Sequence, residues 1–298
     1  MFKEMFTTDA IWELLDPRAV IYLVIILLVF YLAKKTFDWV APYNLNEQLT
    51  KVDNKAVALA FAGFIIGVGI VILSILSGEV HTGDATTVVM AYVTDLGVTV
   101  AWSLGGVILL HITRIVNDKI IFYKFSNVKE LVEDKNLGTG AIEAGSYIGS
   151  AFIIHASLFG ESQNVLHAIV STLVFFIIGQ IFFVIYGFIY QKVTRFDVHD
   201  EIERDNAAAG ISAGMNLVAI GILLSGYIKH FDTIIGICVW FVIAVFLLLT
   251  TRYIVDKLIL PGALLDEEVK NDRNWGAALV EGAAAITIAF IVNACFFL

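Results

Sequence analysis

Apolar residues gather along this chain into eight runs, roughly 19–40, 54–77, 87–116, 137–160, 166–191, 206–228, 232–256 and 275–298, each long enough to cross a bilayer core at about 20 residues per helix. Short polar linkers separate them. The pattern predicts an all-α integral membrane protein with eight transmembrane helices. Ahead of the first run, Asp9 followed by Ile11, Trp12 and Leu15 reads as a short capped helix lying at an interface, so residues 1–18 are set apart as an interfacial N-terminal segment. Glu4, Asp9, Glu13 and Asp16 there argue against a cleavable signal peptide with a basic leading region.

The polar positions repeat. Asp53-Asn54 and Asp205-Asn206 each open an apolar run, and Asn136-x-Gly138 and Asn274-x-Gly276 each open another, with a glutamate seven residues past the asparagine at Glu143 and Glu281. A constant offset of 138 lays Thr113-Arg114 with Asp118-Lys119 on Thr251-Arg252 with Asp256-Lys257, and Trp102 on Trp240. The chain therefore divides into two four-helix membrane repeats, 19–160 and 166–298. Four is an even number, so the two repeats are expected to enter the membrane in the same direction, as parallel repeats about the membrane normal. The offset changes from 152 to 138 between the second and third runs, which places a 14-residue insertion near Ser77 to Tyr92 on the outer face, with Glu79, His81 and Asp84, read as a longer loop, with a lid over an outer opening as the alternative.

Charge then sets orientation. Of the 19 basic residues, all but Lys3, Arg18 and Lys229 lie in or beside the linkers one-two, three-four, five-six and seven-eight. By the positive-inside rule those linkers face the cytoplasm and both termini lie outside. Composition agrees with a membrane protein: 59% hydrophobic residues, 16% charged and a mean hydropathy of +0.85, against roughly 45 to 50% apolar residues in a soluble domain. A net charge of −9 without a basic run argues against nucleic-acid binding. Cys238 and Cys295 lie within apolar runs at non-corresponding positions and read as packing residues.

An aromatic, an acidic cluster, then asparagine entering a glycine- and alanine-rich helix, carried by Asn54, Ala58 and Gly63, by Asn206, Ala208 and Gly210, and by the helices opening near Asn136 and Asn274, resembles the bacterial family known as domain of unknown function 350. The resemblance runs over nearly the whole chain as two tandem domains. It implies a four-helix inner-membrane module of unsettled activity, with links to envelope stress, and a location in the bacterial inner membrane.

The candidate chemistry sits in the membrane. The asparagines Asn54, Asn206, Asn136 and Asn274 are explained as helix caps, with anion attraction at converging helix N-termini as the functional alternative. The motifs Gly63-x-x-x-Gly67, Gly145-x-x-x-Gly149 and Gly210-x-x-x-Gly214 place their helices in the bundle interior. Glu143 and Glu281 lie roughly 10 Å past their helix starts at 1.5 Å per residue, where a carboxyl needs an arginine such as Arg114 or Arg252, a wet cavity or a proton. Ser146, Ser150 and Ser157 continue a polar stripe from Glu143, and Asp95 shares a face of the third helix with Thr99, Trp102 and Gly106. Together Glu143, Glu281, Asp95, His155 and Asn293 form the candidate ion or proton site; His155 and Asn293 occupy matching positions in the two repeats.

Two functions stand. One is a cation or proton channel or transporter in which the two glutamates face each other. The other is a non-transporting membrane scaffold or envelope-stress partner, whose acidic linkers, including Asp200, Glu201 and Glu203, dock a cytoplasmic protein. No catalytic grouping, metal site or cofactor motif stands out, so no enzyme and no cofactor is expected. The partners foreseen are membrane lipid, a cytoplasmic protein and further copies of the chain as a homo-oligomer.

Overall fold

The computed structural model describes residues 17–76, 85–121, 123–124, 126–159, 164–231 and 233–297. Among them are eight long helices: α1 (Pro17–Val40), α3 (Lys55–Leu73), α4 (Ala85–Val116), α6 (Leu137–Leu158), α7 (Val165–Val193), α9 (Ala207–His230), α10 (Ile234–Ile254) and α12 (Trp275–Phe296). Four six-residue helices lie between them: α2 (Leu45–Thr50), α5 (Asn127–Val132), α8 (Val198–Glu203) and α11 (Leu265–Lys270). The π-helical turns Asn117–Ile121 and Val255–Ile259 extend α4 and α10.

Seven of the long helices are long and apolar enough to cross a membrane, against the eight expected from the sequence. The exception is α6. Gly138, Thr139, Gly140, Glu143, Gly145, Ser146, Gly149 and Ser150 dilute its hydropathy, and nearly every one of its residues is buried by neighbouring helices. A helix sheathed by protein needs small and polar groups for packing rather than an apolar surface for lipid.

The unit of recurrence is smaller than the repeat read from sequence. Long helix, short helix, turn and capped long helix occur four times, as α1–α3, α4–α6, α7–α9 and α10–α12. Each turn places one residue in the left-handed region, Asp53 (φ 51°), Lys135 (53°), Asp205 (59°) and Arg273 (49°). The following asparagine N–H then bonds back to the short helix, at the carbonyls of Gln48 (2.9 Å), Glu130 (2.9 Å), Glu201 (3.0 Å) and Glu268 (2.9 Å). A left-handed residue thus stops the short helix and leads directly into an N-cap.

Each asparagine Oδ1 accepts from the first turn of its helix: Asn54 from Ala56 (3.1 Å) and Val57 (3.2 Å), Asn136 from Thr139 (3.1 Å), Asn206 from Ala209 (3.3 Å) and Asn274 from Ala277 (3.1 Å). Three of the amides also reach the next unit's short helix, Asn54 to the Leu131 carbonyl (2.8 Å), Asn136 to Ile202 (2.5 Å) and Asn206 to Val269 (2.8 Å).

The capped helices α3, α6, α9 and α12 pack in that order as a row, with the other long helices flanking it. Ala56 meets Gly140, Gly63 meets Ala144 and Gly67 meets Ala151, so the pairings rise together and α3 and α6 run parallel. Between α6 and α9 the approach is backbone on backbone, with a Cβ placed on Gly145 falling 2.2 Å from the Gly214 carbonyl oxygen. Residues 1–16, and with them most of the interfacial segment, lie outside the described residues. So do 77–84, with Glu79, His81 and Asp84 of the insertion. Its later part, from Ala85 to Tyr92, is a helical extension of α4 rather than the loop read from sequence.

Candidate functional site

The third and fourth long helices of each repeat bring an arginine toward a glutamate. In repeat two the result is a closed cluster. Glu281, 1% exposed, accepts from Arg252 Nη1 and from Asn216 Nδ2 (3.3 Å) on Oε1, and from Ser212 Oγ on Oε2. Arg252 also donates from Nη1 to the Tyr190 hydroxyl (3.3 Å) and from Nη2 to Asp266 Oδ1 (2.7 Å), with its guanidinium 5.5 Å from the Tyr190 ring centroid. The Tyr190 hydroxyl is 2.5 Å from Ser212 Oγ. Every oxygen of the buried carboxylate has a donor, which is what an intramembrane charge requires.

Repeat one places the same two residues in a looser setting. Arg114 is buried, with Nε 3.8 Å from Asp118 Oδ2 and its guanidinium 5.6 Å from the Phe37 ring centroid. It interacts electrostatically with Tyr147, Glu143, Tyr43 and Asp118. Yet Arg114 Nη1, Glu143 Oε1 and the Tyr147 hydroxyl are buried without a hydrogen-bond partner among the described residues, while the Tyr43 phenol interacts with Arg114. Burial pushes the Tyr43 phenol, in the linker after α1, up to about 12, with Arg114 opposing the rise, so it remains a protonated donor at neutral pH. Asp118 accepts from Asn127 Nδ2 (2.6 Å), and its counterpart Asp256 accepts from the Leu265 N–H (2.7 Å); both pin the first residue of the following short helix.

The other sequence candidates fall elsewhere. His155 Nδ1 lies 3.1 Å from the Ile70 carbonyl and Asn293 Nδ2 donates to the Ile222 carbonyl (2.6 Å), corresponding clasps sixteen residues past Asn54 and Asn206. Asp95, beside Tyr22, is nineteen residues from Arg114, roughly 28 Å along α4 at 1.5 Å per residue. The serine stripe is divided among partners: Ser146 accepts from Asn117, Ser150 donates to Gln180 (3.4 Å) and Ser157 to the Ile153 carbonyl (2.8 Å). Glu143 and Glu281 have no electrostatic neighbour in common; each interacts with groups of its own repeat. Of the acidic linker residues, Asp200 pairs with Lys124 (3.0 Å) and Glu201 is buried against Asn206 (3.0 Å), while Glu203 is exposed.

Sequence reasoning missed Tyr43, Tyr147 and Tyr190 as members of these clusters and counted Asp266 only among the acidic linker residues, not as the partner of Arg252; none of the four recurs at the repeat offset. Asp118 and Asp256 did recur there, beside the arginines, and marked the right helix ends.

The division of the chain into two halves is matched by the comparison with known families. The profile of the Domain of Unknown Function (DUF350) family matches residues 7–158 and again 164–296. The chain belongs to the DUF350 family. Two matches in tandem make it a duplicated DUF350 protein. It is also similar to a UPF0719 transmembrane protein of Aquifex aeolicus (strain VF5), 27% identical over 186 residues, or 60% of this chain and 66% of the relative. The match thus spans slightly less than two thirds of that relative. No solved structure matches this DUF350 protein.

Proposed function

We propose that this DUF350 protein is a bacterial inner-membrane protein of eight spans, in which repeat two is a rigid support and repeat one carries a proton- or cation-handling site around Glu143 and Arg114. The observation that carries this reading is the contrast between the clusters. Each buried polar group without a partner costs about 1–3 kcal/mol, more when charged, so several gathered at Arg114 and Glu143 imply exchange with water or an ion. A glutamate beside an arginine, a second carboxylate and two phenols can take up and release a proton without leaving a bare charge in the membrane.

In proteoliposomes, Glu143→Gln is expected to reduce proton or cation flux at least tenfold while the protein remains folded. Wild-type vesicles that pass neither would sink the transport reading. The scaffold reading would then stand, favoured by the closed Arg252–Glu281 cluster, with exposed Glu203 and Glu267 as its narrower acidic docking face.

All eight long helices span in this reading, so the repeats are parallel and the basic linkers place both termini outside. A tag at either terminus is expected to react with an impermeant reagent applied from the periplasmic side. Labelling only after the cytoplasm is opened would reverse the orientation.

A further inference from the structure

The row α3–α6–α9–α12 uses one junction three times. In each, the residue nine past one helix's asparagine meets the residue eight past the next: Gly63 with Ala144, Gly145 with Gly214, Met215 with Gly282. In each, the first asparagine donates to a carbonyl of the following unit's short helix. Asn54, Asn136 and Asn206 are accordingly 1%, 1% and 0% exposed.

The row stops at both ends with its joining parts in place. Asn274 is exposed, and among the described residues its amide bonds only to Glu268 of its own unit (2.8 Å). Beside it an open groove of about 490 Å³ is lined by Ile259, Pro261, Glu268, Gly276 and Val280, where each earlier unit seats the next short helix. At the opposite end, Leu49 holds the sequence position of Leu131, Ile202 and Val269 in its short helix, yet no asparagine of a preceding unit reaches its carbonyl. The outer face of α3 exposes Ala58, Ala62 and Ile66, and that of α12 exposes Val280, Ala283 and Thr287. Small residues on an outward membrane face suit close helix contact better than lipid.

We propose that copies of this chain join head to tail in the membrane, α12 of one against α3 of the next, with Asn274 donating to the neighbour's Leu49 carbonyl and Ala283 against the neighbour's Ala62. The internal junctions are parallel, so continuing them keeps every copy the same way up, as one membrane requires. The join is heterologous, with different surfaces on its two sides, and generates a ring or an open row. Alanine stands on both sides at the closest approach, where each internal junction has a glycine, so this junction is looser than those within the chain. The inference is independent of whether Glu143 moves ions.

Cysteine cross-linking in native membranes tests it, in full-length protein carrying Cys238→Ser and Cys295→Ser. Adding both Ala62→Cys and Ala283→Cys is expected to give an oxidation-dependent ladder of dimers and higher species, whereas either substitution alone gives monomer. Self-cross-linking of a single variant would reveal a two-fold interface and overturn the proposal, as would a double variant that stays monomeric. As a second measurement, Ala283→Trp should leave the melting temperature unchanged, because the site is exposed within one chain, while reducing the assembly to monomers by native mass spectrometry. A wild-type monomer in that measurement, or an assembly that survives the tryptophan, would equally refute it.

Discussion

Replacing Arg252 with alanine is expected to destabilise the protein by about 3–5 kcal/mol, because it leaves the Glu281 carboxylate in the interior with only Ser212 and Asn216 as donors. Glu281→Gln should cost less, since the glutamine oxygen can still accept from Asn216 and Arg252, its NH2 can donate to the Ser212 hydroxyl, and Arg252 keeps its 2.7 Å bond to Asp266. Replacing both partners, as Arg252→Met with Glu281→Leu, should recover most of the loss, because no carboxylate is left fully buried without a cation and Asp266 still lies 3.9 Å from Arg195 Nε. Chemical denaturation in detergent would measure all three. An Arg252→Ala protein within about 0.5 kcal/mol of wild type, the scatter expected of a neutral surface change, would show that the cluster does not hold the fold.

Gly145→Val should prevent folding altogether. A Cβ at that position would lie 2.2 Å from the Gly214 carbonyl oxygen and 2.5 Å from its Cα, and backbone in a packed helix cannot withdraw as a flexible side chain can. The two helices would have to separate, breaking the most intimate contact of the row. Gly97 and Gly105 on α4 provide the comparison: a Cβ at either meets nothing within 4 Å, so alanine there should stay within about 1 kcal/mol of wild type, the propensity difference between the residues. Yield of folded protein after membrane extraction separates the outcomes. Normal folding of Gly145→Val would mean that α6 and α9 do not pack backbone to backbone.

The helices were legible in the sequence because each is long and locally encoded. A run of apolar residues and an asparagine at its start suffice, and α6 was placed at 137–160 and observed at Leu137–Leu158. The short helices were less legible, since six residues carry too little periodicity to mark a helix. What does mark them is the left-handed residue before each asparagine, which in Lys135 and Arg273 has no sequence signature. Recurrence was read at the scale of identities, giving two repeats, while the four-fold recurrence of cap, turn and short helix is conserved in geometry more than in letters.

Within the candidate site, sequence placed each glutamate near an arginine in number but could not assign their states. Whether Glu143 and Glu281 are satisfied depends on residues brought together by folding, and those differ: Tyr190, Ser212 and Asn216 complete one cluster, while the other leaves Glu143 Oε1 and the Tyr147 hydroxyl without a partner among the described residues.

By itself, then, the chain's order of apolar and polar residues determined a membrane protein, its duplication, its helix starts and the intramembrane acids, because hydropathy and capping act over a few neighbouring residues. The glycine pairs also put α6 inside the bundle, where it is found; the tertiary structure alone decided that the two acids occupy separate clusters and that the row of capped helices ends with Asn274 exposed. Those outcomes depend on which helix faces pack together, and contacts between residues seventy positions apart leave little trace in either stretch of sequence.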